Sequence, residues 1–219
     1  VTGTKLGRTA TRAAFKVYEN MPAATLTDEV MQNTEEIAKE FGIKTPPKPM
    51  TFLEANEGRG NVNYGKGAEY SDNCQCCVAV HEARLRGLNL TAVGYSARKG
   101  SITFQLGENF QNIWVNPKTG KTPQLTILKA DSDEALYAKL ERELSAKGRY
   151  HIGINLTANR GHVITAEKFS NGKLLFYDPQ SGDFLNIREY TSLESIEVLK
   201  VDKLLFDANI LKKISKIIQ

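Results

Sequence analysis

The chain has 219 residues, 41% hydrophobic and 25% charged, proportions ordinary for a folded domain with a substantial core and unlike those of a disordered chain. Its 29 basic and 25 acidic residues leave a net charge of only +4 and are spread along the sequence, which gives nucleic-acid binding no support. No run approaches the roughly 18 apolar residues of a membrane-spanning helix, and the N-terminus lacks the apolar core of a signal peptide.

Residues 8 to 42 alternate helical stretches with breaks. The first helix is expected over Thr11 to Tyr18, and the second, after a Thr27-Asp28 cap, over Glu29 to Phe41 with Gly42 as its stop. Three prolines in Lys44-Thr45-Pro46-Pro47-Lys48-Pro49 favour an extended spacer. The expected organisation is therefore a helical lead-in with its spacer over 1–49 and a catalytic-sized domain with a C-terminal helix over 50–219. Asn56 to Tyr70, rich in Gly and Asn, reads as a loop wrapping toward the site and supplying backbone N–H groups. A helix from about Asn73 to Arg86 ends at Gly87, and Asn89 to Tyr95 has the β-branched and aromatic content of a strand.

Asn116-Pro117-Lys118-Thr119-Gly120 is a turn, and Ser132 or Asp133 caps a helix expected through Ala146 and stopped by Gly148. Gly148 to Leu156 alternates as a strand, and Gly161 to Phe169 and Lys173 to Asp178 form two more around Ser170-Asn171-Gly172. Ser195 to Val201 supplies a last strand. Asp202 to Ile218 reads as an amphipathic helix with Leu204, Leu205, Ile210, Leu211, Ile214 and Ile217 or Ile218 on its apolar side. A helix followed by an antiparallel sheet is an α+β arrangement.

All three cysteines lie in Cys74-Gln75-Cys76-Cys77, too close together to staple a fold, and their pattern suits a reducing compartment or a reactive thiol. Cys74 falls where the Asp72-Asn73 cap hands over to the helix. Unpaired N–H groups and the positive end of the helix dipole there favour a thiolate. Downstream, His162 opens a hairpin whose second strand ends at Asp178, giving the order Cys, His, Asp. If Ser170-Asn171-Gly172 is a three-residue loop with Gly172 left-handed, Ile164 faces Asp178 and His162 is a diagonal neighbour of the carboxylate on the same face. A two-residue loop would put the two on opposite faces.

Other readings compete at several positions. Cys77 reads as a small apolar filler, and His81 as a solvated or capping residue. His151 is the competitor to His162 as base, but reads better as a polar residue on a sheet face. Arg84 and Arg86 read as surface or ion-pair residues. Cys74, Cys77 and His81 share a helical face, but no further ligand block completes a zinc site, and no metal or cofactor is expected.

The segments Asn73-Cys74-x-x-Cys77, Glu82-x-Arg84-x-Arg86-Gly87, Gly161-His162 and Tyr177-Asp178-Pro179-Gln180-Ser181-Gly182 resemble the papain-fold toxin domains, a group that includes predicted protein-glutamine deamidases. Such domains lie at the C-terminal ends of bacterial polymorphic toxins and of some phage head proteins. Ala55 to Gly87 looks especially like the phage-associated members, and the resemblance spans roughly residues 50 to 185.

The resemblance implies a papain-like cysteine hydrolase core, a nucleophile helix packed on an antiparallel sheet. Cys74 attacks an amide carbon, His162 takes and returns the proton, and Asp178 orients the imidazole. The Cys74 backbone N–H stabilises the oxyanion, helped by a side-chain amide for which Asn73 and Gln180 are candidates. The extra thiol, Cys76, departs from the family pattern and leaves the nucleophile open, with Cys74 preferred for its place at the cap.

Glutamine deamidation is slightly favoured; proteolysis, acyl transfer and a non-catalytic virion module that keeps the fold are the alternatives. Expected partners are a protein substrate and an immunity or inhibitor protein, with neither nucleic acid nor membrane. The chain begins at Val1 and reads as a piece of a longer secreted or virion-borne protein, acting in the cytoplasm of a target cell after delivery.

Overall fold

A computed structural model describes residues 16, 18, 21, 23–57, 60–157 and 160–218, so the helix expected over Thr11 to Tyr18 lies largely outside the described residues. In chain order the helices are α1 (Asp28–Glu40), α2 (Phe52–Glu57), α3 (Cys74–Leu85), α4 (Ile102–Glu108), α5 (Asp133–Glu143) and α6 (Ala208–Ile214). The strands are β1 (Leu90–Ala92), β2 (Trp114–Val115), β3 (Thr126–Leu128), β4 (Gly148–Leu156), β5 (Arg160–Lys168), β6 (Leu174–Asp178), β7 (Asp183–Leu185), β8 (Leu193–Lys200), β9 (Leu205–Phe206) and β10 (Ser215–Ile217). The chain is α+β with antiparallel pairing throughout. Its described residues fall into two compact units, one of 124–178 with 183–202, the other of those within 15–123 with 179–182 and 203–218. The proline spacer at 44–49 lies inside the second unit.

The first unit is built on a six-stranded sheet in the order β3-β8-β4-β5-β6-β7. Alternation along β4 puts Tyr150, Ile152, Ile154 and Leu156 on one face, level with Ile164 and Ala166 of β5 and Ile196 and Val198 of β8. That face packs on Leu136, Tyr137 and Leu140 of α5 and on Leu144 behind it. The Ser132 hydroxyl caps α5 by accepting from the Ala135 N–H at 3.3 Å. This helix ends at Glu143, not Ala146, because the chain must already turn to enter β4 at Gly148, which pairs with Lys168. Gly148 thus begins the strand over the span expected for it.

In the second unit α1 has the expected form: the Thr27 hydroxyl accepts from the Val30 N–H, Val30, Ile37 and Ala38 are buried, and Gly42 turns left-handed at φ 73°. The helix of Cys74, α3, is buried from Gln75 to Leu85, so its small and apolar residues pack all round and its polar ones, Gln75, Glu82 and Arg84 among them, are buried as well. Its stop, Gly87, has φ 101°, and a Cβ there would stand 2.5 Å from the Lys48 carbonyl oxygen, so only glycine admits the spacer so close. The strand expected over Asn89 to Tyr95 shortens to Leu90–Ala92.

Three expectations for this unit are corrected. The tail from Asp202 is not one helix but β9, α6 and β10. Phe206 stacks on Trp114 at 4.4 Å and has its backbone N–H and carbonyl bonded by Asn33, while Ile217 pairs with Leu90, so tertiary partners claim both ends of the apolar stripe. Of the surface or ion-pair reading of Arg84 and Arg86, the surface half fails, since both are buried, while the ion-pair half holds for Arg86. Arg84 donates to the carbonyls of Ala55 and Leu90 and to Asn89, and Arg86 pairs with buried Glu82 at 2.9 Å, donates to the Leu204 carbonyl at 2.8 Å and lies over the Trp114 and Phe206 rings. His81 is buried too, its ring edge-on to Phe52 at 5.5 Å, where the sequence suggests a solvated residue.

Candidate functional site

In the first unit the hairpin adopts the register of the three-residue loop. Thr165 pairs with Tyr177, Ala166 with Phe176 and Lys168 with Leu174. Phe169 donates its N–H to the Lys173 carbonyl at 2.9 Å, and Gly172, left-handed at φ 82°, donates to the Phe169 carbonyl at 3.0 Å. His162 and Asp178 consequently share a face, and His162 Nε2 meets Asp178 Oδ2 at 3.0 Å, both side chains buried. A carboxylate only accepts, so Nε2 carries the hydrogen and Nδ1 becomes the ring's proton-exchanging nitrogen in the neutral form.

His151, the competing base, is buried one position out of phase, opposite Thr165 and Leu199. It therefore projects to the other face of the sheet from His162, which sits opposite Ile154. On that other face Glu197, opposite Gly153, has its carboxyl pushed above the usual range by burial, an effect the Asn155 amide partly offsets.

In the second unit Cys74 begins α3 with a half-buried side chain, while Cys76 and Cys77 are buried; all three are thiols. Burial pushes the Cys76 thiol well up, with the neighbouring Cys74 adding to the effect, so Cys76 is held protonated. The Cys77 thiol lies 3.2 Å from Asn73 Oδ1. Cys74 Sγ is 3.6 Å from Gln75 Oε1, and Gln75 is itself anchored by its amide to the Thr103 carbonyl at 2.8 Å.

Asn73 holds the cap position of α3 but makes no side-chain cap bond, which corrects the sequence reading. It is fully buried, and its Nδ2 donates instead to the Val93 carbonyl at 2.8 Å and to Asn61 Oδ1 at 3.4 Å. Its Oδ1 accepts from Asn61 Nδ2 and from Gln180 Nε2, each at 3.3 Å. Asn73 and Gln180 are thus partners in one buried amide network. Asn61 belongs to it as well, donating from Nδ2 to the Tyr70 carbonyl at 2.9 Å and the Gln180 carbonyl at 3.2 Å. Nothing in the sequence separates Asn61 from the other asparagines of its loop; the only signal is a polar side chain in a glycine-rich stretch that must pack against a buried helix.

The structure brings His162 to Asp178, and Asn73 to Gln180, each pair within its own unit. Among the described residues no group of three or more His, Cys, Asp or Glu is placed to hold a metal ion.

No family model matches the chain, and no curated protein does. Among solved structures the Pseudomonas avirulence protein AvrPphB aligns over 81% of this chain and 96% of its own, at 8% identity and a TM-score of 0.30.

Proposed function

We propose that the chain is a thiol hydrolase acting on an amide of a target protein, with Cys74 as nucleophile, His162 as base and acid, and Asp178 as the orienting carboxylate. The observation that carries this reading is the buried His162 Nε2 to Asp178 Oδ2 bond, because such a bond fixes the tautomer that a general base needs. Two further facts support it. Cys74 is the thiol left half-buried at a helix start, where Cys76 is buried and protonated. Along the chain Asp178 precedes by two residues Gln180, whose amide bonds the residue before Cys74.

The reaction follows from these roles. The Cys74 thiolate adds to the amide carbon, and the oxyanion forms facing the N–H groups of the first turn of α3. His162, protonated at Nδ1, passes that proton to the departing nitrogen, and a thioester remains on Cys74. A water that loses its proton to Nδ1 then attacks the thioester, releasing the carboxylic acid and restoring the thiol.

The resemblance to papain-fold toxin domains tilts the substrate toward a glutamine side chain, the leaving group toward ammonia, and the setting toward an effector delivered into a target cell's cytoplasm and restrained by an immunity or inhibitor protein. At neutral pH iodoacetamide should label Cys74 much faster than Cys76 or Cys77, and His162→Ala should slow that labelling; equal, slow labelling of all three thiols would refute the nucleophile. Intact mass of a protein target separates the chemistries, a gain of about 1 Da per site for deamidation against two fragments for proteolysis.

A further inference from the structure

We infer that Asn61 is a positioning residue that fastens the 179–182 turn to the first turn of α3, an inference that rests on the triad proposed above. Asn61 is buried, and its backbone is held on both sides by β1. The Gly60 carbonyl accepts from the Ala92 N–H at 2.6 Å and from the Thr91 hydroxyl at 3.3 Å, and the Val62 N–H donates to that same hydroxyl at 3.3 Å. From this fixed base the side chain reaches two elements at once. It forms a reciprocal amide pair with Asn73, Nδ2 to Oδ1 at 3.3 Å and the return bond at 3.4 Å, and it also donates to the Gln180 carbonyl at 3.2 Å.

Gln180 answers from the turn by donating its Nε2 to Asn73 Oδ1 at 3.3 Å. Asn61, Asn73 and Gln180 therefore close a ring of amides. That ring ties the backbone just after Asp178 to the residue just before Cys74. Two hydrogens on Asn61 Nδ2 serve three oxygens, those of Tyr70, Asn73 and Gln180. An aspartate there keeps the shape and the acceptor for Asn73 but turns an oxygen toward all three, so it breaks the ring without opening a cavity. Triads need support of this kind because small displacements of a proton-transferring group cost large factors in rate.

The test is a double-mutant cycle read by the iodoacetamide labelling rate of Cys74 in the whole chain. Asn61→Asp should slow labelling by about tenfold in the parent and have no further effect in a His162→Ala background, because both changes disable one proton-transfer unit. A merely structural role predicts equal slowing in both backgrounds; that result, or no slowing in the parent, overturns the inference while His162→Ala still slows labelling by itself. If His162→Ala leaves labelling unchanged, the triad falls and the inference with it. Should Asn61→Asp not fold, Asn61→Ser, which loses the reach to Gln180 but leaves a small polar group, is taken through the same cycle.

Discussion

The β5–β6 hairpin and the helix α3 hold their candidate site side chains by opposite means. In the hairpin the backbone ladder does the placing: loop length sets the register, and the register sets which side chains are neighbours. Around α3 the placing is done by polar side chains that bond distant backbone carbonyls, Arg84 to Ala55, Arg86 to Leu204, Asn73 to Val93 and Gln75 to Thr103. A ladder has many small supports, and losing one is survivable. A buried guanidinium is a single support with a large desolvation cost when its partner is left alone.

That contrast can be broken in measurable ways. The largest effect is expected from Arg86→Met, which removes the buried ion pair to Glu82 and takes a donor from the Leu204 carbonyl in the interior; urea unfolding should show a loss of about 3–5 kcal/mol. A comparable side-chain support in the sheet unit is the hydroxyl of Tyr137, which donates to the Tyr190 carbonyl; burial pushes the Tyr137 phenol up to about 12. Tyr137→Phe should cost about 1–3 kcal/mol by the same measurement, and a loss as large as that of Arg86→Met would erase the distinction.

The smallest effect concerns Glu197, whose folded carboxyl titrates above its unfolded value of 4.5 because burial disfavours the charge. Between the two values the folded chain binds more protons than the unfolded one, so the penalty is absent at low pH, grows as pH rises through the folded value, and stays above it. Glu197→Gln should therefore raise the melting temperature at pH 7 and leave it unchanged below about pH 4. A gain that is the same at both pH values would mean that the charge is not what matters.

The same contrast governs how much of the molecule is legible in its sequence. Strand β4 appears over its whole expected span, and Ser170-Asn171-Gly172 marks the turn, because strand pairing and turn chemistry are local codes, while the choice of the three-residue loop that aligns His162 with Asp178 is read only from the register. The site around Cys74 is legible only in its thiol and in Asn73 and Gln180 as names. Their bonds to each other span 107 residues, and the charge of Arg84 and Arg86 argues for the surface until carbonyls 29 and 118 residues away are known. The tail misleads for a related reason. Leu204, Leu205, Ile210, Leu211, Ile214 and Ile217 suit a helical stripe as well as a strand, a helix and a strand, and only the Asp207 cap on Ile210 and the Ser215 hydroxyl's bond to the Leu211 carbonyl hint at the breaks.

The backbone of Val93 has an implication for how the protein is made. Val93 accepts from Asn73 through its carbonyl at 2.8 Å and donates its N–H to the Ile214 carbonyl at 2.9 Å, just after the β1 segment that β10 pairs. A ribosome delivers Cys74 long before it delivers Ile214, so during translation the cysteine helix emerges before the segment that holds Val93, the partner of Asn73. The backbone that Asn73 bonds is fixed on its other side only after α6 and β10 have been made, which makes synthesis itself a delay on the assembly of that thiol's surroundings.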